Sequence, residues 1–272
     1  MNPFERELSL ALDAASAASA LIREVYATEF AVEWKGRGDP VTVADKRANA
    51  LLVEMISKAF PGDHICAEEA DSDDAALASS KGGRCWFVDP LDGTKEFVDR
   101  NGEFCVMVGL AVDGAAVMGV VAAPVWGRTF HGVVGHGAWE LVGGERRALR
   151  ASAETDPSRV SLVVSRSHAN PRVAAMASKL GVARLRPCGS VGLKVALVAA
   201  GEETAYVHLG RGPKLWDGCA PEAIAKAAGA EVTDAMGRAL RYDTRELPLS
   251  EGIVVATPAL AATLRSALGG EA

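Results

Sequence analysis

The stretch Trp86-Phe87-Val88-Asp89-Pro90-Leu91-Asp92-Gly93-Thr94-Lys95-Glu96-Phe97 decides how this chain is to be read. Trp86 to Val88 is an apolar run of strand character, and two carboxylates three residues apart stand at its end. The proline between them fixes a backbone angle and makes the corner rigid. Glycine and threonine follow where a helix can begin, so free backbone N–H groups and a positive dipole end lie beside the acids. Such oxygen donors suit a hard divalent cation, and the Leu91 carbonyl can turn toward the same ion. The amides suit a phosphoryl oxygen. Taken alone, the Asp-Pro-Leu-Asp-Gly step is equally a surface turn and Thr94 equally a helix cap. With an apolar strand before it and Gly-Thr after it, the whole stretch reads as the heart of a magnesium-dependent phosphatase.

Other acids stand where they could join that site. Ile65 to Ala67 reads as a short strand leading to Glu68-Glu69, either a solvated acidic pair or a further ligand. Asp45, after Pro40-Val41-Thr42-Val43-Ala44, opens a helix. It reads as an N-cap, or as a buried acid that takes a proton through Thr94 from an attacking water. Asp217 opens another helix in Leu215-Trp216-Asp217-Gly218-Cys219-Ala220-Pro221, with Trp216 placed to pack under it. If Asp45, Glu68, Asp89, Asp92 and Asp217 converge, they cannot all stay ionised without bound cations or raised pKa values. Ser190 and Lys194, four apart, share a helix face. Together with His168 they are candidates for a second phosphate, although each alone also reads as solvated surface. The histidines show no metal-binding spacing, and neither a nucleophile elbow nor a P-loop is present.

Composition agrees with a globular enzyme. The 272 residues are 49% apolar and 24% charged, with net charge −6, so nothing suggests a nucleic acid polymer as partner. No apolar run is long enough for membrane insertion and no signal peptide precedes the first helix. Five scattered cysteines without a CxxC pair read as reduced, buried thiols, which points to the cytoplasm. A long helix is predicted from Asn2-Pro3, with Asn2 as N-cap, and a second from about Asp45 to Pro61-Gly62. Residues 71–83 read as an exposed loop. A β-rich stretch follows, its strands 104–112 and 115–123 joined by the Asp113-Gly114 turn. From Val160 onward strands and helices alternate. The change of style places a lobe boundary near Gly143-Gly144, giving lobes 1–145 and 146–272.

Ala67-Glu68-Glu69, Asp89-Pro90-Leu91-Asp92-Gly93-Thr94 and Trp216-Asp217 resemble, in order and spacing, three signatures of the inositol monophosphatase superfamily. Pro40, Thr42 and Asp45 resemble its early acid motif. Lys95-Glu96-Phe97, then Arg100-Asn101-Gly102-Glu103-Phe104, and Ser165-Arg166-Ser167-His168 resemble one branch, the bacterial 3′(2′),5′-bisphosphate nucleotidases of the CysQ group. The resemblance implies an α+β fold, a layered αβαβα sandwich with its site between lobes. It implies that Glu68, Asp89, the Leu91 carbonyl, Asp92 and Asp217 bind two or three Mg²⁺ ions. Asp45, Thr94 and Glu68 would serve the attacking water, and the Gly93 and Thr94 N–H groups the phosphate. The substrate would be 3′-phosphoadenosine 5′-phosphate, hydrolysed to AMP and phosphate. His168, Ser190, Lys194 and Arg211 would meet its 5′-phosphate, the Ser190-to-Lys194 spacing being one longer than in that group. Inhibition by Li⁺ and a monomer or homodimer are further expectations. The alternatives are a superfamily phosphatase acting on inositol phosphate, fructose bisphosphate or histidinol phosphate, or a non-catalytic scaffolding member of the fold.

Overall fold

Two long amphipathic helices make the outermost layer. The computed structural model describes residues 2–36, 39–167, 169–210 and 212–269. Helix α1 (Glu5–Tyr26) buries Ala11, Ala14, Ala15, Ala18, Ile22 and Val25 along one face. Helix α2 (Val43–Ala59) presents Ala44, Ala48, Leu52 and Ile56, so small residues let the two pack closely. The hairpin of β1 (Val32–Gly36) and β2 (Asp39–Thr42) precedes α2. Asn2 does not cap α1: its side chain accepts from Phe4 N at 2.9 Å in a turn just outside the helix.

Beneath these helices lies a seven-stranded sheet whose spatial order follows the chain: β3 (His64–Ala67), β4 (Arg84–Asp92), β5 (Cys105–Val112), β6 (Ala115–Ala123), β7 (Arg128–Val133), β8 (Gly137–Val142) and β9 (Glu145–Ala148). Only the β3–β4 pair is parallel. The parallel step needs a crossover, and α3 (Ser72–Ser80) supplies it. This corrects the exposed loop expected over 71–83: Asp71 caps the helix by accepting from Asp73 N, and Ala75 and Ser79, one turn apart, are buried. The small side chains of α3 leave no apolar periodicity in the sequence. Gly143 and Gly144, both at positive φ, form the tight turn between β8 and β9, so the sheet runs on to Ala148.

Strand parity decides what each face of this sheet meets. Trp86, Val88, Val106, Val108, Leu110, Met118 and Val120 turn toward α1 and α2. Cys85, Phe87, Met107, Ala111 and Val121 turn the other way, toward α6 (Val191–Ala199) and α7 (Leu215–Ala227). On that face Gly109 and Gly119 stand opposite each other in the β5–β6 pair. A Cβ on Gly109 would lie 2.6 Å from Ala220 N, and one on Gly119 would lie 2.1 Å from Ala220 O. Helix α7 therefore rests directly on the sheet backbone at this point.

A second, mixed sheet covers the far side of α6 and α7. Its order is β11 (Arg184–Cys188), β10 (Ser161–Ser165), β12 (Ala205–His208), β14 (Ile253–Ala256) and β13 (Glu231–Thr233). Its other face packs on α5 (Pro171–Leu180) and α8 (Pro258–Leu268) through Leu162, Val207, Val254, Met176 and Leu260. The layers thus run helix, sheet, helix, sheet, helix, as the resemblance implied. All five cysteines are buried and free. No helix among the described residues is long and apolar enough to cross a membrane.

Candidate active site

The same parity that turns Phe87 toward α7 turns Asp89 toward it, and Asp89 is only 1% exposed. The β4–β5 register breaks between Asp89 and Asp92, and Asp89 Oδ1 accepts from Leu91 N at 2.9 Å, closing the corner around Pro90. The break brings Asp92 to the same side. From the other wall comes Asp217, in the first turn of α7. One carboxylate oxygen from each of Asp89, Asp92 and Asp217 lies within 4.8 Å of the others.

Burial first, and then the negative charges of Glu68, Asp92 and Asp217, push the Asp89 carboxyl well above its ordinary range. Burial and the Asp92 charge push Asp217 up to about 7. With an oxygen of Asp89 and one of Asp217 inside 4.8 Å, two ionised carboxylates would repel, so without a cation the pair favours holding a proton. Such a crowd of oxygen donors fits a hard divalent cation, which would take the place of that proton. Glu68 donates its backbone N–H to Val88 O at 3.0 Å, fixing it beside the end of β4 within electrostatic reach of Asp89.

Asp45 and Asp217 are not N-caps. Each sits three residues inside its helix and reaches back to the residue that precedes the helix. Asp45 Oδ2 accepts from Thr42 N at 2.7 Å and Thr42 Oγ1 at 2.6 Å, and Asp217 Oδ2 accepts from Lys214 N at 2.6 Å. The second oxygen of Asp45, Oδ1, accepts from Thr94 Oγ1 at 3.0 Å. Thr94 Oγ1 also lies 3.1 Å from the Leu91 carbonyl oxygen. Burial raises the Asp45 carboxyl above its usual value against the hydrogen bonds from Thr42 and Thr94. Gly93, at φ 97°, precedes the short helix α4 (Thr94–Val98), and a Cβ there would lie 2.9 Å from Glu103 O.

Ser190 and Lys194 belong to this neighbourhood in a different way from that expected. Ser190 Oγ donates to Asp92 Oδ2 at 2.6 Å, and Gly192 N donates to the same oxygen at 2.8 Å. The entry of α6 is therefore tied to a candidate ligand. Lys194 is 3% exposed, with Nζ turned inward onto the Ser190 and Cys188 carbonyls and over the Tyr206 ring. Its ammonium is thus held beneath the first turn of α6, a placement different from the open substrate contact expected of it. His168 and Arg211 lie outside the described residues. Gly192 was not foreseen: its backbone N–H carries no residue-type signal, although a serine cap before a glycine was visible.

Comparison with known proteins agrees with this geometry. Residues 5–269 match the inositol monophosphatase family. The 3′(2′),5′-bisphosphate nucleotidase CysQ of Salmonella typhimurium is 36% identical over 236 residues, 86% of this chain and 93% of its own. The inositol-1-monophosphatase of Mycobacterium leprae is 32% identical over 274 residues, 96% of this chain and 91% of its own. The crystal structure of CysQ from Bacteroides thetaiotaomicron superposes with a TM-score of 0.80 at 29% identity, covering 94% of this chain and 98% of that one. With its layers, its acidic cleft and nearly all of its length accounted for, the chain belongs to the inositol monophosphatase family of phosphatases.

Proposed function

We propose that the protein removes the 3′-phosphate of 3′-phosphoadenosine 5′-phosphate in a Mg²⁺-dependent hydrolysis, giving AMP and phosphate. The observation that carries the chemistry is the convergence of Asp89, Asp92 and Asp217 beside the Thr94–Asp45 pair. Asp89, Asp92, Asp217, Glu68 and the Leu91 carbonyl would hold the metal. Bound there, Mg²⁺ supplies charge neutralisation for the phosphate and a lowered pKa for the attacking water. Thr94 Oγ1 orients that water and passes its proton to Asp45, whose raised carboxyl pKa suits a proton acceptor. The backbone amides at Gly93 and Thr94 face the phosphoryl oxygens. No protein nucleophile is required, because positioning and charge do most of the work in phosphoryl transfer.

The likeness to CysQ proteins supports the nucleotide, and so do the Lys95–Phe104 and Ser165–His168 stretches. The likeness to the Mycobacterium leprae enzyme supports a second reading, inositol phosphate hydrolysis. Phosphate release should be measured with Mg²⁺ on a panel of the bisphosphate nucleotide, inositol 1-phosphate, fructose 1,6-bisphosphate and histidinol phosphate. The proposal expects the nucleotide to lead by at least tenfold in kcat/KM, with inhibition by Li⁺. Turnover of inositol phosphate without the nucleotide would transfer the assignment. No turnover of any ester, with no Mg²⁺ binding by calorimetry, would leave a scaffold.

A further inference from the structure

Two stretches have no task in the chemistry above, Glu96 to Glu103 and Ser165 to Ser167, and in the structure they meet. The Glu103 carboxylate takes the guanidinium fork of Arg166, Nε at 2.7 Å and Nη2 at 2.6 Å. Its Oε2 also accepts from the backbone N–H of Gly189 at 2.6 Å. Arg166 Nη2 donates to Pro187 O at 3.1 Å, and Arg166 N to Cys188 O at 3.1 Å. Glu96, 5% exposed, accepts from Ser167 Oγ at 2.6 Å. The Glu103 carbonyl oxygen is wedged between two glycines: a Cβ on Gly93 would lie 2.9 Å from it and one on Gly189 would lie 2.8 Å from it.

These ties end next to the candidate catalytic groups. Glu96 is two residues beyond Thr94, and Gly189 immediately precedes Ser190, which bonds Asp92. Arg166 is 44% exposed, so its ion pair adds little to stability. A bidentate fork instead fixes orientation. The turn after β10 and the entry of α6 are thereby held at a set distance from the Gly93–Thr94 corner.

We propose that Glu103 and Glu96 form a clip across the cleft and that Glu103 is a positioning residue for the part of the substrate beyond the reacting phosphate. The inference rests on the phosphatase reading and deepens it. Because Gly189 leads into the Ser190–Asp92 contact, the part of a substrate that extends past the reacting phosphate toward α6 meets the wall the clip holds, whereas a small aryl phosphate occupies only the carboxylate site.

The test is Glu103→Gln, which cannot take the Arg166 fork as an ion pair but still accepts from Gly189 N. KM for the bisphosphate nucleotide should rise at least tenfold, while kcat, and kcat/KM for p-nitrophenyl phosphate, stay within twofold. Arg166→Lys, which keeps the charge but not the fork, should fall in between. Amide hydrogen exchange should quicken at least tenfold in peptides covering 165–167 and 189–191, with an unchanged denaturation midpoint. Equal losses on both esters, or an unchanged nucleotide KM in an active protein, would overturn the positioning role. Unchanged exchange would overturn the clip itself. A wild-type protein that hydrolyses neither ester would sink the phosphatase reading, and exchange would then decide the clip alone.

Discussion

Asp89 is buried at the meeting point of three other acids. Buried among Glu68, Asp92 and Asp217, its carboxyl holds a proton more tightly folded than unfolded, and so does Asp217, raised to about 7 from 3.8. For an acid shifted this way the folded state binds more protons between the two values, so stability falls as pH rises through that window. Metal-free protein in EDTA should therefore lose melting temperature steadily from about pH 4 to pH 7. Saturating Mg²⁺ should flatten the slope, and a flat metal-free profile would contradict the crowding. Asp89→Asn should reduce that slope, weaken Mg²⁺ binding at least tenfold by calorimetry, and lower turnover by about 10²–10³-fold. Lys194→Met tests the inward-turned ammonium: nucleotide KM should move less than about threefold, while stability falls by about 1–3 kcal/mol because the Ser190 and Cys188 carbonyls lose their buried donor. A tenfold rise in KM would return Lys194 to the substrate. The acids of this site were legible in the sequence because carboxylates at strand and helix ends announce themselves. Glu103 and Gly192 were not, because their partners are set by tertiary docking alone.

Helix α7 owes its depth to two residues without side chains. Gly109 and Gly119 let Ala220 sit against the backbone of β5 and β6, and this contact fixes how far Asp217 reaches toward Asp89. Its position is reinforced by Tyr242 Oη, which donates to the buried Glu222 of α7 at 2.6 Å, while Lys226 pairs with the same carboxylate. Gly119→Ala should cost about 3 kcal/mol or more in chemical denaturation, at the upper end for overpacking. It should also weaken Mg²⁺ binding, because the lifted helix carries Asp217 with it. Gly62→Ala, with open space around the added carbon, is the control and should change neither. At this scale the sequence was legible wherever periodicity was strong. The Asp113–Gly114 hairpin and the strand–helix alternation after Val160 are both present in the structure. Helix α3, the polar strand β9 and the short strand β13 were not foreseen. They are short or made of small and charged residues, and their pairing depends on neighbours distant in the chain.

In the whole molecule, Asp89 and Asp217 lie nearly half the chain apart and meet only when α7 has docked on the large sheet. Three buried apolar clusters hold the layers together without help from any ion. Chelation should therefore leave the fold intact at 25 °C, with near-ultraviolet circular dichroism unchanged. Added Mg²⁺ should stabilise the fold in proportion to the logarithm of its concentration, by about 2.7 kcal/mol at a hundred times Kd, and the melting temperature should climb with it. A melt indifferent to Mg²⁺ would mean that the acids do not share an ion. The layer order was readable from the resemblance. Gly143-Gly144, read from the sequence as the neighbourhood of a lobe boundary, is the hairpin turn between β8 and β9, since turns inside a sheet use the same residues as linkers. A different lesson follows from the way Asp45 and Asp217 divide their oxygens, one closing the first turn of a helix and one facing the cleft. A gene copy relieved of its reaction would still be selected to keep both, merely to stay folded. Asp89 offers such a copy mostly repulsion, so among descendants of this chain its survival, rather than that of the two helix-closing acids, is the better mark of one that still works.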